Sequence, residues 1–115
     1  MRTLALVVGL ALTAAPALAQ TIQPEEAQEH GGQTVTVEGT VSDVGGAASS
    51  GATFIDMGGH YPDNNFAGVI LSDDARKVPN VDGLKGKTIE ITGEVRFYKG
   101  HPQIIVNDAS QIKVK

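Results

Sequence analysis

Six side chains in this sequence are of types that hold a ligand by stacking and by charge. Phe54, Tyr61 and Phe66 fall in one stretch; Tyr98, Lys99 and His101 fall in another. Aromatic faces stack on bases and a neighbouring lysine tracks the backbone, which is how single strands are held. Phe54 alternates with Ile55, so one of them faces outward; the alternation alone leaves open which, and Phe54 and Phe66 are also candidates for the core. Other chemistries are poorly provided for. His60, Asp63, Asp56 and His101 could ligate a metal, yet no H-x-x-H, H-E-x-x-H or EF-hand spacing is present. No metal and no cofactor are expected. Asp73-Asp74 and Glu25-Glu26 are paired carboxylates, but both pairs fit the first turn of a helix. A nuclease of the thermonuclease type needs paired arginines around a metal; beyond the N-terminal leader only Arg76 and Arg96 occur, in no such motif. With no cysteine, thiolate metal sites, thiol redox chemistry and cysteine nucleophiles are excluded together. No catalytic residues are expected, and the protein is read as not an enzyme.

The elements that must position these residues are strands. Thr34–Val44 alternates apolar and polar residues, with Val35, Val37 and Val41 on one side and Thr36, Glu38, Thr40 and Ser42 on the other. That is the period of a half-buried strand. Gly39 falls on the apolar side, where a bend or bulge is expected. The pattern returns in Thr88–Phe97, with Ile89, Ile91, Gly93, Val95 and Phe97 in the same register. Between them Thr53–Met57 and Phe66–Leu71 predict two more strands, and Gln103–Val106 a fifth; Gln111–Lys115 could add a terminal segment. Thr21–Gly31 predicts a short N-terminal helix, with Pro24 at its first position and Ile22 stapled on Ala27. Ser72 opens a short helical piece that Pro79 ends. Gly45–Gly51 is all small residues and is expected to be a mobile loop. Three strands, a helical piece and two strands give the order of the five-stranded Greek-key oligonucleotide/oligosaccharide-binding (OB) barrel; another small all-β barrel is the alternative.

Met1–Ala19 stands apart. Arg2, the apolar run Leu4–Leu12 and the A-x-A pair Ala17 and Ala19 predict a secretory signal peptide cleaved after Ala19. The run is too short to cross a bilayer, so no membrane span is expected. Residues 20–115 then form a single domain, periplasmic or secreted. Charge is divided along it. Gln20–Ala75 holds nine acidic residues and no Lys or Arg, whereas Arg76–Lys115 holds eight basic residues against four acidic. Any basic surface must come from the C-terminal half.

Five stretches carry a resemblance: Val37-Glu-Gly-Thr-Val41, Thr53-Phe-Ile-Asp-Met-Gly58, Tyr61-Pro-Asp-Asn-Asn-Phe66, Gly86-Lys-Thr-Ile-Glu-Ile-Thr-Gly93 and Tyr98-Lys-Gly-His-Pro-Gln-Ile104. Together they resemble exported bacterial OB-fold domains of the nucleic-acid-binding type, tRNA-anticodon-binding-like and nuclease-associated. The likeness spans Ala27 to about Ile112. In plan the chain also resembles small periplasmic stress-associated OB-fold proteins, without their acidic turn before the third strand. The resemblance implies a non-catalytic binding protein. It implies contact with single-stranded DNA or other nucleic acid, or oligosaccharide, through Phe54, Tyr61, Phe66, Tyr98, Lys99 and His101. The acidic N-terminal half opposes phosphate binding. A protein-interaction or envelope module, without nucleic acid, is the rival expectation.

Overall fold

The computed structural model describes residues 19–115; the expected leader lies outside the described residues up to its last position. Seven strands follow in order: β1 Gln20–Ile22, β2 Thr34–Gly46, β3 Thr53–Met57, β4 Phe66–Ile70, β5 Thr88–Tyr98, β6 His101–Ile105 and β7 Ile112–Val114. The five longer strands form a ring, β2-β3-β4-β6-β5, that β2 and β5 close by pairing with each other. All pairs in the ring are antiparallel except β4 with β6. This is the small all-β OB-type barrel expected from the strand order.

The alternation in β2 and β5 builds its interior. Val35, Val37 and Val41 from β2 and Ile89, Ile91 and Val95 from β5 are buried, with Ile55, Met57, Phe66 and Ile104 from the other strands. The two long strands meet along Thr34–Thr40 and Thr88–Glu94. Thr36 with Thr92 and Thr40 with Thr88 share hydroxyl hydrogen bonds of 2.8 and 3.2 Å across this ladder. Glu38 stands opposite Glu90 in the same ladder, a like-charge pair that costs stability. Lys115 answers it, with Nζ 3.3 Å from Glu90 and 3.9 Å from Glu38. Its main chain is fixed by an N–H donated to Thr88 O at 3.0 Å.

The glycines work differently from the expectation. Antiparallel pairing sets Gly39 opposite Ile89 and Gly93 opposite Val35, at opposite ends of the ladder. Neither is a bulge; β2 shifts register between Val41 and Asp43, around Ser42. Each glycine instead makes room. A Cβ on Gly39 would come 2.6 Å from Pro24 Cγ and 3.0 Å from Met57 Sδ. A Cβ on Gly93 would overlap the Ile104 side chain and come 3.2 Å from Gln111 Nε2. Phe97, read as inward, is 46% exposed, and its ring lies over Gly31.

The N-terminal helix is shorter than the sequence predicts. Gln20–Ile22 pairs in parallel with β2, and only Pro24–Glu29 turns, as a 3-10 helix. Ile22 and Ala27 are both buried. Ser72–Lys77 and Val81–Leu84 are likewise 3-10 turns. The Gly45–Gly51 stretch is not a loose loop. β2 runs on to Gly46, and Gly51 N–H donates to Ala47 O at 2.7 Å while Ala47 N–H donates to Ala52 O at 2.9 Å.

Two outcomes are expected. Gly93→Val lowers stability by about 2–3 kcal/mol through overpacking, roughly 10 °C or more in thermal midpoint; an unchanged midpoint contradicts this packing. Lys115→Met costs about 0.5 kcal/mol at low ionic strength and less in added salt, read by urea unfolding.

Candidate ligand-binding cleft

A cleft of about 430 Å³ opens on the outer face of β3, between the end of β2 with Ala47, the 58–65 loop and the β5–β6 hairpin. The parity of β3 creates it. Ile55 and Met57 point into the barrel and are fully buried, so Phe54 and Asp56 point out. Phe54 is half-buried and packs on a second apolar cluster, Ala52, Ala67, Val69 and Ile105, on the outside of the sheet. Phe54 and Ala67 line the cleft.

The β5–β6 hairpin supplies one wall. Tyr98 and His101 are direct partners at its end, joined by Lys99 and Gly100 with φ of 51° and 83°. Two consecutive left-handed residues make the tight turn that suits the twist of a hairpin. The turn carries Lys99 Nζ to 5.4 Å from the Tyr98 ring centre. Tyr61 comes from the 58–65 loop, its ring centre 5.3 Å from that of His101 and tilted by 48°. Tyr61 and Tyr98 are 61% and 54% exposed, large faces open to a ligand.

Carboxylates form the floor. The shift at Ser42 pairs Asp43 with Asp56 directly across β2 and β3, and both line the cleft. Asp56 is buried and holds the 58–65 loop to the sheet. It accepts from Asn64 Nδ2 at 3.2 Å and from the Tyr61 backbone N–H. Burial, then the charge of Asp43, pushes its pKa up. The Asp43 carboxyl is held down instead, chiefly by its hydrogen bond with His60, whose Nδ1 is 3.3 Å from Oδ2. Lys85 Nζ reaches Asp43 at 3.7 Å. Asn64 also donates to Phe66 O at 3.2 Å, which turns its own Oδ1 inward with no partner among the described residues. Gln103 and His60 complete the lining.

Of the six residues expected to touch a ligand, four line the cleft: Phe54, Tyr61, Tyr98 and His101. Lys99 stands at its rim. Phe66 does not belong. It is fully buried inside the barrel, paired with Met57 and sharing its parity with Gly68 and Ile70. A strand apolar on both faces hides that parity from the sequence. Asp43, Asn64 and Gln103 were not expected at the site. Strict alternation puts Asp43 on the side of Val41; the extra residue at Ser42 reverses it. No Lys or Arg among the described residues lines the cleft. Among the described residues, no three His, Asp or Glu side chains are arranged to hold a metal ion.

No protein-family model matches the chain, and no curated protein matches it. Solved structures share its fold. A protein described as an aspartyl-tRNA synthetase from Leishmania major Friedlin superposes with a TM-score of 0.54 at 12% identity, over 93% of this chain and 23% of the other. The chain therefore spans about a quarter of that protein's length. An OBody bound to hen egg-white lysozyme superposes with a TM-score of 0.55 at 17% identity, over 88% of this chain and 98% of the OBody. Likenesses at such identities establish the barrel alone.

The strained carboxylate makes a test. Asp56→Asn keeps an acceptor for Asn64 and Tyr61, removes the repulsion from Asp43 and offers a donor near the unpartnered Asn64 Oδ1. A carboxyl with a raised native pKa destabilises the fold while ionised, and this penalty disappears as pH falls through the raised value. The variant is thus expected to exceed the parent by on the order of 1 kcal/mol at neutral pH. The advantage should vanish as pH approaches the ordinary aspartate value of 3.8, as read from thermal midpoints across pH.

Proposed function

We propose that this chain is an exported, non-catalytic OB-type binding protein that takes its ligand across the cleft on β3. One observation carries this reading: Phe54, Tyr61, Tyr98 and His101, from a strand, a loop and a hairpin, converge on one concavity. Concave sites lined by aromatic side chains with a few fixed polar groups are the usual form of a ligand pocket. The leader read in Met1–Ala19 supports export. The two carboxylates are engaged in structure, Asp56 by the 58–65 loop and Asp43 by His60 and Lys85, which supports binding over catalysis.

Single-stranded nucleic acid is supported as a ligand by the exposed aromatic rings and by the tRNA synthetase among the structural neighbours. It is opposed by charge. Phosphate neutralisation supplies essentially all non-specific affinity, and the cleft offers Asp43 and Asp56 with Lys99 at the rim. Any such binding is therefore weak and salt-sensitive.

An NMR titration with a short oligothymidylate tests this. At low salt, amide shifts are expected in residues 43–61 and 98–103, with a dissociation constant no tighter than about 10⁻⁴ M at physiological salt. Shifts confined to another face, or none at low salt, overturn the cleft as a nucleic-acid site.

A further inference from the structure

The cleft has a charge that its aromatic lining does not explain. Two carboxylates stand side by side across β2 and β3, and among the described residues no Lys or Arg enters between the rings. The nearest cations stay outside: Lys85 is 3.7 Å from one Asp43 oxygen, and Lys99 rests 5.4 Å from the Tyr98 centroid. The Lys99 contact is informative. An ammonium within about 6 Å of a ring centre is held by the ring's negative face. The protein thus already places a cation on Tyr98, at the lip of an acidic concavity.

A guanidinium matches what remains. It is planar and weakly hydrated, stacks on aromatic rings and donates a fork of N–H groups to carboxylates. Tyr61 and Tyr98 are more than half exposed; Asp43 Oδ1 accepts from Val44 N–H at 3.0 Å and lies 3.7 Å from Lys85 Nζ, while Oδ2, 3.3 Å from His60 Nδ1, keeps acceptor capacity for a further donor. The cleft, at about 430 Å³, has room for one or two side chains and not for a folded domain. Nucleic acid meets the same rings but is repelled by the same carboxylates. We propose that the cleft receives an arginine side chain from a basic polypeptide partner, stacked against Tyr98 and Tyr61 with its N–H groups on Asp43.

This rests on the cleft being the binding site, and adds the ligand's charge and class. It assigns Lys99 a definite part: an internal competitor that covers the Tyr98 face until the arginine arrives. Removing Lys99 should therefore favour a basic peptide and disfavour an oligonucleotide, so one substitution separates the two ligands by sign.

The experiment uses fluorescence anisotropy of the full chain with three labelled probes. They are a Gly-Ser octapeptide containing arginines, the same peptide with citrulline in their place, and a short oligothymidylate. The arginine peptide is expected to bind at least about tenfold more tightly than the citrulline peptide, which keeps shape and loses charge. Asp43→Asn should weaken it about fivefold or more, and Lys99→Ala should strengthen it about two- to fivefold while weakening the oligothymidylate. Lys99 is exposed, and Asp43→Asn keeps the side chain's shape and its acceptor for Val44 N–H, so both variants should stay folded, as read from their thermal midpoints. Equal binding of the arginine and citrulline peptides, or a Lys99→Ala change in the opposite sense, overturns the arginine assignment. Binding of any probe that ignores Tyr98→Ala and Tyr61→Ala overturns the cleft itself, and with it both readings.

Discussion

Strand β2 pairs with β5 through Thr40 and with β3 from Val41 onward, and the β2–β3 ladder shifts register immediately after, at Ser42. The barrel closes only because one strand can serve two neighbours, and it can do so only if it coils sharply at the exchange. The Ser42 hydroxyl holds that corner. Its oxygen lies 3.0 Å from Asp56 O and 2.7 Å from Gly59 O, to one of which it donates, and it accepts from Gly59 N–H at 3.2 Å. The same extra residue turns Asp43 outward to face Asp56. The strand's change of neighbour and the irregularity that sets the charge of the cleft thus fall on adjacent residues.

The core could be read from the sequence because its positions obey a period. Val35, Val37, Val41, Ile89, Ile91 and Val95 are buried as the alternation requires. The strand order could be read for the same reason, since turn-forming residues separate the runs. The site was only partly legible. Phe54 beside Ile55 offered two equal choices, settled by which one the Ala52, Ala67, Val69 and Ile105 surface receives. Phe66 lay in a run apolar on both faces, so no parity was visible. Asp43 was concealed by the irregularity at Ser42. Phe97 followed the inward register of its strand but lies where β5 has passed from β2 to β6, and its ring covers Gly31 instead. The glycines were seen as unusual, yet their reason is tertiary: Pro24 and Met57 approach Gly39, and Ile104 approaches Gly93. No local rule contains those neighbours.

The charge division along the chain acquires meaning only in the fold. Residues 20–75 supply β2, β3, β4 and the 58–65 loop, hence the floor and one wall of the cleft, all without a cation. Residues 76–115 supply the opposite wall and bring two basic residues to its edge, Lys99 beside Tyr98 and Lys85 beside Asp43. Lys115 from the same half meets the acidic half elsewhere, where Glu38 and Glu90 oppose each other. The basic half therefore closes the barrel on one side while leaving the cleft negative on the other.

Strand β3 carries the barrel on one set of alternate residues and the cleft on the other. Ile55 and Met57 pack the interior; Phe54 and Asp56 face the cleft, where Phe54 packs on the outer cluster and Asp56 holds the 58–65 loop. The inner set meets the demands of folding alone, whereas the outer set serves recognition while also holding the 58–65 loop through Asp56. Rewriting the outer residues would therefore change what the cleft meets without touching the interior, at a cost set by how the 58–65 loop is held.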